Sequence, residues 1–125
     1  GKRILLAEDN MVSQRIAHEL LKRLNIQVDL VTDGRQAVHQ CANVPYDLIL
    51  MDLLMPVMDG LEATHLIRQS GISIPIIAMT ANTTAQDRDD CLHAGMNDFL
   101  AKPFSPQSLL ETVQKWLAPE HPQMT

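Results

Sequence analysis

Five short strand-like runs, at residues 3–7, 27–31, 47–51, 75–79 and 98–101, are each followed by a stretch with helical spacing. Such alternation calls for a parallel sheet, because each connection must carry the chain back along the sheet, and a helix does so while covering a face. Right-handed crossovers allow a doubly wound, flavodoxin-like α/β fold with a strand order such as 2-1-3-4-5, the order expected here. The third run marks the middle of that sheet. Leu48-Ile49-Leu50-Met51 is apolar at every position, as a strand buried on both faces must be, and it leads straight into Asp52. Ligands bind outside the carboxyl ends of the strands in open α/β sheets, so Asp52 is expected at the mouth of a crevice. Taken alone, a strand-terminal aspartate is more often a turn residue than a reactive one.

The connecting helices have recognisable ends. Asn10 caps a first helix from Met11 to Leu24, with an apolar stripe of Val12, Ile16, Leu20 and Leu24 and with Ala17 and Leu21 beside it. Asn25 can end that helix, and the second strand alternates as an edge strand should. Asp33-Gly34 opens a second helix that reaches about Ala42, where Asn43-Val44-Pro45 breaks it. Asp59-Gly60 opens a third, ending near Gly71, with Asp59 read as a cap and Gly60 as a permissive turn residue. Thr83 or Thr84 caps a polar fourth helix, ending at Gly95, that only Ala85, Cys91 and Leu92 can anchor. Ser105-Pro106 starts the last helix, which carries Leu109, Leu110, Val113, Trp116 and Leu117 on one side. Residues 1–118 are expected to form one domain and residues 119–125 a tail or linker.

Composition removes several function classes. The net charge is −5 with no run of Lys or Arg, which argues against nucleic acid and against direct contact with an anionic membrane. Tyr46, Phe99, Phe104 and Trp116 are too scattered to form a base-stacking platform. Cys41 and Cys91 lack CxxC spacing, so a reducing, cytoplasmic setting is expected. His18, His39, His65, His93 and His121 show no ligand spacing and read as surface or packing residues. Met51, Met55, Met58 and Met79 read as packing.

What remains is a set of polar residues at the strand ends. The first strand delivers Glu8 and Asp9, the third Asp52, the fourth Thr80 and the fifth Lys102. Three carboxylates brought together repel one another, and a divalent cation and a nearby ammonium relieve that repulsion. Oxygen-only ligands without His or Cys suit Mg²⁺. Asp9, Asp52 and a loop carbonyl just after Asp52, that of Leu54, would suffice, with Glu8 acting through water. An aspartate beside Mg²⁺, a hydroxyl and an ammonium is suited to attack on phosphorus, giving an aspartyl phosphate. Mg²⁺, Thr80 and Lys102 would then each take one phosphoryl oxygen, and the small Ala81 leaves the group accessible.

These residues sit in four segments: Ile4-Leu-Leu-Ala-Glu-Asp-Asn10, Asp47-Leu-Ile-Leu-Met-Asp-Leu-Leu-Met-Pro-Val-Met-Asp-Gly60, Pro75-Ile-Ile-Ala-Met-Thr-Ala81 and Ala94-Gly-Met-Asn-Asp-Phe-Leu-Ala-Lys-Pro-Phe104. Together they resemble the response-regulator receiver domain of two-component signalling, over residues 3 to about 117. The resemblance implies that Asp52 accepts a phosphoryl group from a phosphohistidine protein, with Glu8 and Asp9 at the Mg²⁺ site and Thr80 and Lys102 sensing the group. It implies a domain that catalyses only its own phosphorylation and slow dephosphorylation. It also implies a cis Lys102–Pro103 bond and a switching ring at Phe99 that swings inward as Thr80 moves toward phosphate. The fourth helix, the fifth strand and the last helix would then form the mobile signalling surface.

Leu54, two residues after Asp52, has no polar atom to orient a hydrolytic water, although Asn82 could do so; a long-lived phosphoryl group is expected. Glu8-Asp9-Asn10 resembles the receivers of hybrid sensor histidine kinases. Its partner would therefore be a histidine kinase or a histidine-phosphotransfer domain, docking around Asn10 to Gln14. Three other functions fit less well. A phosphohydrolase of the aspartyl-phosphate type needs a second Asp where Leu54 stands. A flavin or nucleotide binder needs a Gly- or Ser/Thr-rich loop where Glu8-Asp9-Asn10 stands. A receiver used only for contacts would not need the full acidic set with Thr80 and Lys102.

Overall fold

A computed structural model of the chain describes residues 2–81 and 84–118. The elements follow one another as β1 (Arg3–Ala7), α1 (Met11–Arg23), β2 (Gln27–Val31), α2 (Gly34–Asn43), β3 (Leu48–Asp52), α3 (Gly60–Gln69), β4 (Ile76–Thr80), α4 (Ala85–Ala94), β5 (Asp98–Ala101) and α5 (Pro106–Leu117). The strands form one parallel sheet in the order β2-β1-β3-β4-β5, as expected. The expectations for Asn82, Thr83, His121 and the tail at 119–125 fall outside the described residues. Among the described residues no helix is long and apolar enough to cross a membrane.

Strand alternation divides the core into two layers. Leu5, Ala7, Ile49, Met51, Ile76 and Ala78 point to one face, where Ala37 of α2, Ala63 and Ile67 of α3 and Cys91 of α4 cover them. Ile4, Leu6, Leu48, Leu50, Ile77 and Met79 point to the other, against Ala17, Leu20 and Leu21 of α1 and Leu109 and Val113 of α5. Every residue of β3 and β4 is buried. Each fully buried Leu or Ile side chain contributes about 1.5–3 kcal/mol of transfer free energy. The central strands therefore hold the site in place.

The structure corrects several details. Asp52 is the last residue of β3 and does not follow it: it is the register partner of Met79, and Leu53 N–H donates to the Met79 carbonyl at 3.1 Å, which extends the ladder. β4 begins one residue after Pro75, which has no N–H to give to the ladder. α1 ends at Arg23 with Leu24 as its cap, and Asn25 follows with φ of 61°, a left-handed conformation that asparagine tolerates. α2 runs through Asn43, and α3 stops at Gln69. The stripe expected on α1 is rotated. Its buried residues are Ala17, Leu20 and Leu21, whereas Val12 is 67% exposed and Ile16 44% exposed. One helical turn of apolar residues suffices to seat α1, so the apolar residues nearer its start are left in solvent. α4 is held even less firmly than expected: Thr84 caps it, Cys91 is its only buried residue, and Ala85 and Leu92 are exposed. Lys102–Pro103 is cis, as the resemblance implied.

Candidate functional site at the carboxyl edge of the sheet

Strand parity determines which charged side chains meet. Glu8 continues the face of Ile4 and Leu6, Asp52 that of Leu48 and Leu50, and Lys102 that of Leu100. All three therefore point toward the α1/α5 side. Lys102 Nζ lies 2.6 Å from Glu8 Oε1 and 3.1 Å from Asp52 Oδ2. Glu8 is fully buried and Asp52 only 5% exposed. The turn into α1 holds Glu8 in place: Asn10 N–H donates to its Oε2 at 3.0 Å, and the Gln14 side-chain amide donates to its main-chain carbonyl at 2.7 Å. Asn10 also caps α1 through its own Oδ1, which accepts from Ser13 N–H at 2.9 Å. Asp52 Oδ1 accepts from Leu54 N–H at 3.3 Å.

Asp9 completes the acidic group from the solvent side. Glu8, Asp9 and Asp52 each offer an oxygen, and these atoms lie within 4.8 Å of one another. Among the described residues this is the one cluster of His, Cys, Asp or Glu suited to a metal ion. A donor set of carboxylate oxygens, with no nitrogen or sulfur, fits a hard ion such as magnesium.

The electrostatics follow from burial. Asp52 is pushed up to about 7, first by burial and then by Glu8 beside it, while Lys102 pulls the other way. Burial opposes the charge on Lys102, but hydrogen bonds to Glu8 and Asp52 and their negative charge outweigh it, and the ammonium ends above its ordinary value. The cysteines play no part here. Cys41 is pushed up to about 11 and Cys91 upward as well, both first by burial, so both remain thiols.

Thr80 ends β4 and is 6% exposed; its carbonyl accepts from Lys102 N–H at 2.8 Å, so the strand ends fix threonine and lysine relative to each other. Phe99 is not part of the acidic group. It lies on the opposite face of β5 from Leu100, half-buried against the layer that contains Cys91. The Leu54 side chain is 75% exposed. Val57, in the same loop, is 73% exposed and has φ of 69°, with Met58 N–H donating across it to the Pro56 carbonyl at 2.7 Å. A β-branched residue in that region is strained. The loop that follows Asp52 thus carries two apolar side chains in solvent.

Sequence reasoning placed Glu8, Asp9, Asp52 and Lys102 in one site but missed some of the contacts. The ammonium expected near the carboxylates is bonded most closely to Glu8, at 2.6 Å, rather than to Asp52. The parity of Glu8 with Leu6 and of Lys102 with Leu100 carried that information. Gly60 was read as a permissive turn. Its φ is not positive, and what it supplies is space, because a Cβ there would lie 2.3 Å from the Asp52 carbonyl oxygen.

A family model for the response regulator receiver domain matches residues 4–114, and the chain belongs to that family, the receivers of two-component phosphorelays. The chain is 49% identical to the receiver domain of the sensor histidine kinase PA1611 from Pseudomonas aeruginosa PAO1. That match covers 94% of this chain and 98% of the other with a TM-score of 0.86, and the crystal structure has a magnesium ion coordinated in the active-site cleft. It is 31% identical to the receiver domain of the response regulator Ssk1 of Saccharomyces cerevisiae, crystallised with the histidine phosphotransfer protein Ypd1. There the TM-score is 0.89, over 97% of this chain and 92% of that one. Histidine kinase 5 of Arabidopsis thaliana is 36% identical over 143 residues, which cover 92% of this chain but 16% of that protein. The chain therefore spans a small part of that relative's length. The family read from the four sequence segments and the expected strand order are both borne out.

Proposed function

We propose that Asp52 is the phosphoacceptor of this receiver. One observation carries the reading: a nearly buried carboxylate at the end of the central strand, 3.1 Å from a lysine ammonium and grouped with two further carboxylates. In the reaction an Asp52 carboxylate oxygen attacks the phosphorus of a phosphohistidine. The new P–O bond forms as the P–N bond breaks, and the imidazole leaves with the bonding electron pair and takes up a proton. Lys102 and Thr80 hold the phosphoryl oxygens, and the Leu54 N–H keeps the attacking carboxylate oriented. Asp9 and Asp52, with the Leu54 carbonyl, would hold magnesium, and Glu8 would act from behind through Lys102 and water. The ion, when bound, supplies positive charge that offsets the phosphoryl oxygens.

The phosphodonor would be a histidine kinase or a histidine-phosphotransfer domain. Its docking face would lie around Asn10 to Gln14, where Met11 is 72% exposed beside Val12, and would extend over Leu54 and Val57. The same reading places the domain on the cytoplasmic side, as two reduced, buried thiols allow. Incubation with Mg²⁺ and acetyl phosphate, followed by intact mass measurement, is expected to show one phosphoryl adduct. The adduct should vanish in Asp52→Asn and in excess chelator, and should outlast donor removal by minutes or more, because Leu54 brings no polar atom to the site. Absence of an adduct in the parent chain would refute the reading, and a lifetime of seconds would refute the role given to Leu54.

Magnesium affinity is expected to depend on pH. Asp52 lies near 7 in the free protein, and a cation favours its ionised form. Below that pH each ion bound displaces a proton, so affinity rises with pH, by about tenfold per unit at most, and levels off by about pH 8. Calorimetric titration in two buffers of different ionisation enthalpy would count the released protons. An affinity that stays flat from pH 6 to 8, with no proton release, contradicts this account.

A further inference from the structure

Thr80 and Phe99 share one face of the sheet. In the β4–β5 register Ala78 pairs with Phe99 and Thr80 with Ala101, so the four side chains form a square with threonine and phenylalanine on one diagonal. The other two corners are alanines. The sheet itself therefore puts only alanines beside the threonine and the phenylalanine on that face.

The outer side of that ring faces α4. The Arg88 guanidinium carbon lies 5.3 Å from the Phe99 ring centroid. Two other cation–ring contacts occur among the described residues, and in both the cation also has an ionic partner: Arg3 lies over Tyr46 and pairs with Asp29 at 2.9 Å, and Lys115 lies over Trp116 with Asp98 at 3.8 Å. Arg88 differs. It sits between Asp87 and Asp89, yet among the described residues it forms no ion pair. Its guanidinium lies over the ring instead.

α4 is anchored unevenly. Its far end is clamped by Arg68, which donates to the Gly95 carbonyl at 2.9 Å and to Asn97 Oδ1 at 2.8 Å, while Asn97 Oδ1 also accepts from Ile76 N–H at 2.9 Å. Toward its start, before Cys91, no residue is buried. Arg88 lies on this free half and bridges it to β5.

We propose that Arg88 is a latch: its contact with the half-buried Phe99 ring favours the unphosphorylated arrangement of α4 and β5 and so opposes phosphoryl uptake at Asp52. The inference rests on reading Asp52 as the phosphoacceptor and Phe99 as the ring that swings inward when Asp52 is phosphorylated. An exposed cation–π contact present in one state and absent in the other biases the equilibrium about two- to fivefold.

The chain has two phenylalanines, so 4-fluorophenylalanine labelling gives two fluorine resonances, and Phe99→Leu assigns them. In the free protein, fluorine relaxation dispersion at Phe99 is expected to show the minor, inward state two- to fivefold more populated in Arg88→Ala and near the parent level in Arg88→Lys. Affinity for fluoroberyllate with Mg²⁺, a phosphoryl analogue, is expected to rise by the same factor in Arg88→Ala. That gain should disappear when Phe99→Leu is already present. An unchanged minor-state population overturns the latch, and so does an affinity gain that survives in the Phe99→Leu background. If the parent chain fails to take up fluoroberyllate, the Asp52 reading falls by itself, and the dispersion measurement alone then decides the latch.

Discussion

Gly60→Ala is expected to lower the thermal midpoint by about 10 °C and to slow phosphoryl uptake with it. A Cβ at position 60 would lie 2.3 Å from the Asp52 carbonyl oxygen and 3.0 Å from both the Asp52 carbonyl carbon and Leu53 Cα. All three are backbone atoms, so no side chain can rotate away. The contact is also bonded: Gly60 N–H donates to the Leu53 carbonyl at 3.0 Å. To make room, either α3 retreats from the sheet or the end of β3 moves, and the second displaces Asp52 itself. The cost should reach or exceed the top of the usual overpacking range, about 3 kcal/mol. Gly71→Ala separates this crowding from ordinary glycine effects. Gly71 has φ of 94° with nothing within 4 Å of its would-be Cβ, so alanine there meets only conformational strain, on the order of 1–2 kcal/mol. Thermal melts of the two variants test the argument, which fails if Gly60→Ala loses no more stability than Gly71→Ala.

The contrast shows what can be read from sequence and what cannot. Periodicity is a property of neighbours along the chain, and it yielded the five strands and the burial of Leu48 to Met51 on both faces, while the alternation of strand and helix allowed the sheet order that is found. The convergence of Glu8, Asp9, Asp52 and Lys102 followed, because parallel strands put all their carboxyl ends on one edge. Contacts made across the sheet were harder to see. The reach of Glu8 to Lys102 depends on side-chain length and on the register of β1, β3 and β5. The need for Gly60 depends on how closely the start of α3 passes β3. The surface side of α1 was misjudged for a related reason: Val12 and Ile16 have helical spacing, but whether a stripe is buried depends on where the next layer ends. Arg88 gave no signal at all, because a lone arginine among aspartates reads as a solvated helix face.

Lys102→Met should cost about 2–4 kcal/mol in magnesium-free buffer near neutral pH, and the phosphoryl uptake that remains should be at least about a hundredfold slower. Lys102 is the cation shared by a fully buried Glu8 and a nearly buried Asp52, at 2.6 and 3.1 Å. Without it two carboxylates face each other with water largely excluded, and removing one partner of a buried pair leaves the rest uncompensated. The loss is limited because Asp52, already at about 7, can take up a proton, and without Lys102 its pKa rises further. That gives the pH dependence its sign. The folded variant holds a proton on Asp52 that the unfolded chain has released, across the window from the unfolded carboxyl value of about 4 to above 7. Stability therefore falls as pH rises through that window, and acidification should restore much of what Lys102→Met removes. Magnesium should restore it too, by replacing one positive charge with another, so the variant's midpoint should rise more on adding Mg²⁺ than the parent's does. Denaturant melts at pH 5.5 and 8, with and without Mg²⁺, test both arms. A deficit independent of pH and of magnesium would mean that Lys102 acts by packing its aliphatic stem and not by its charge.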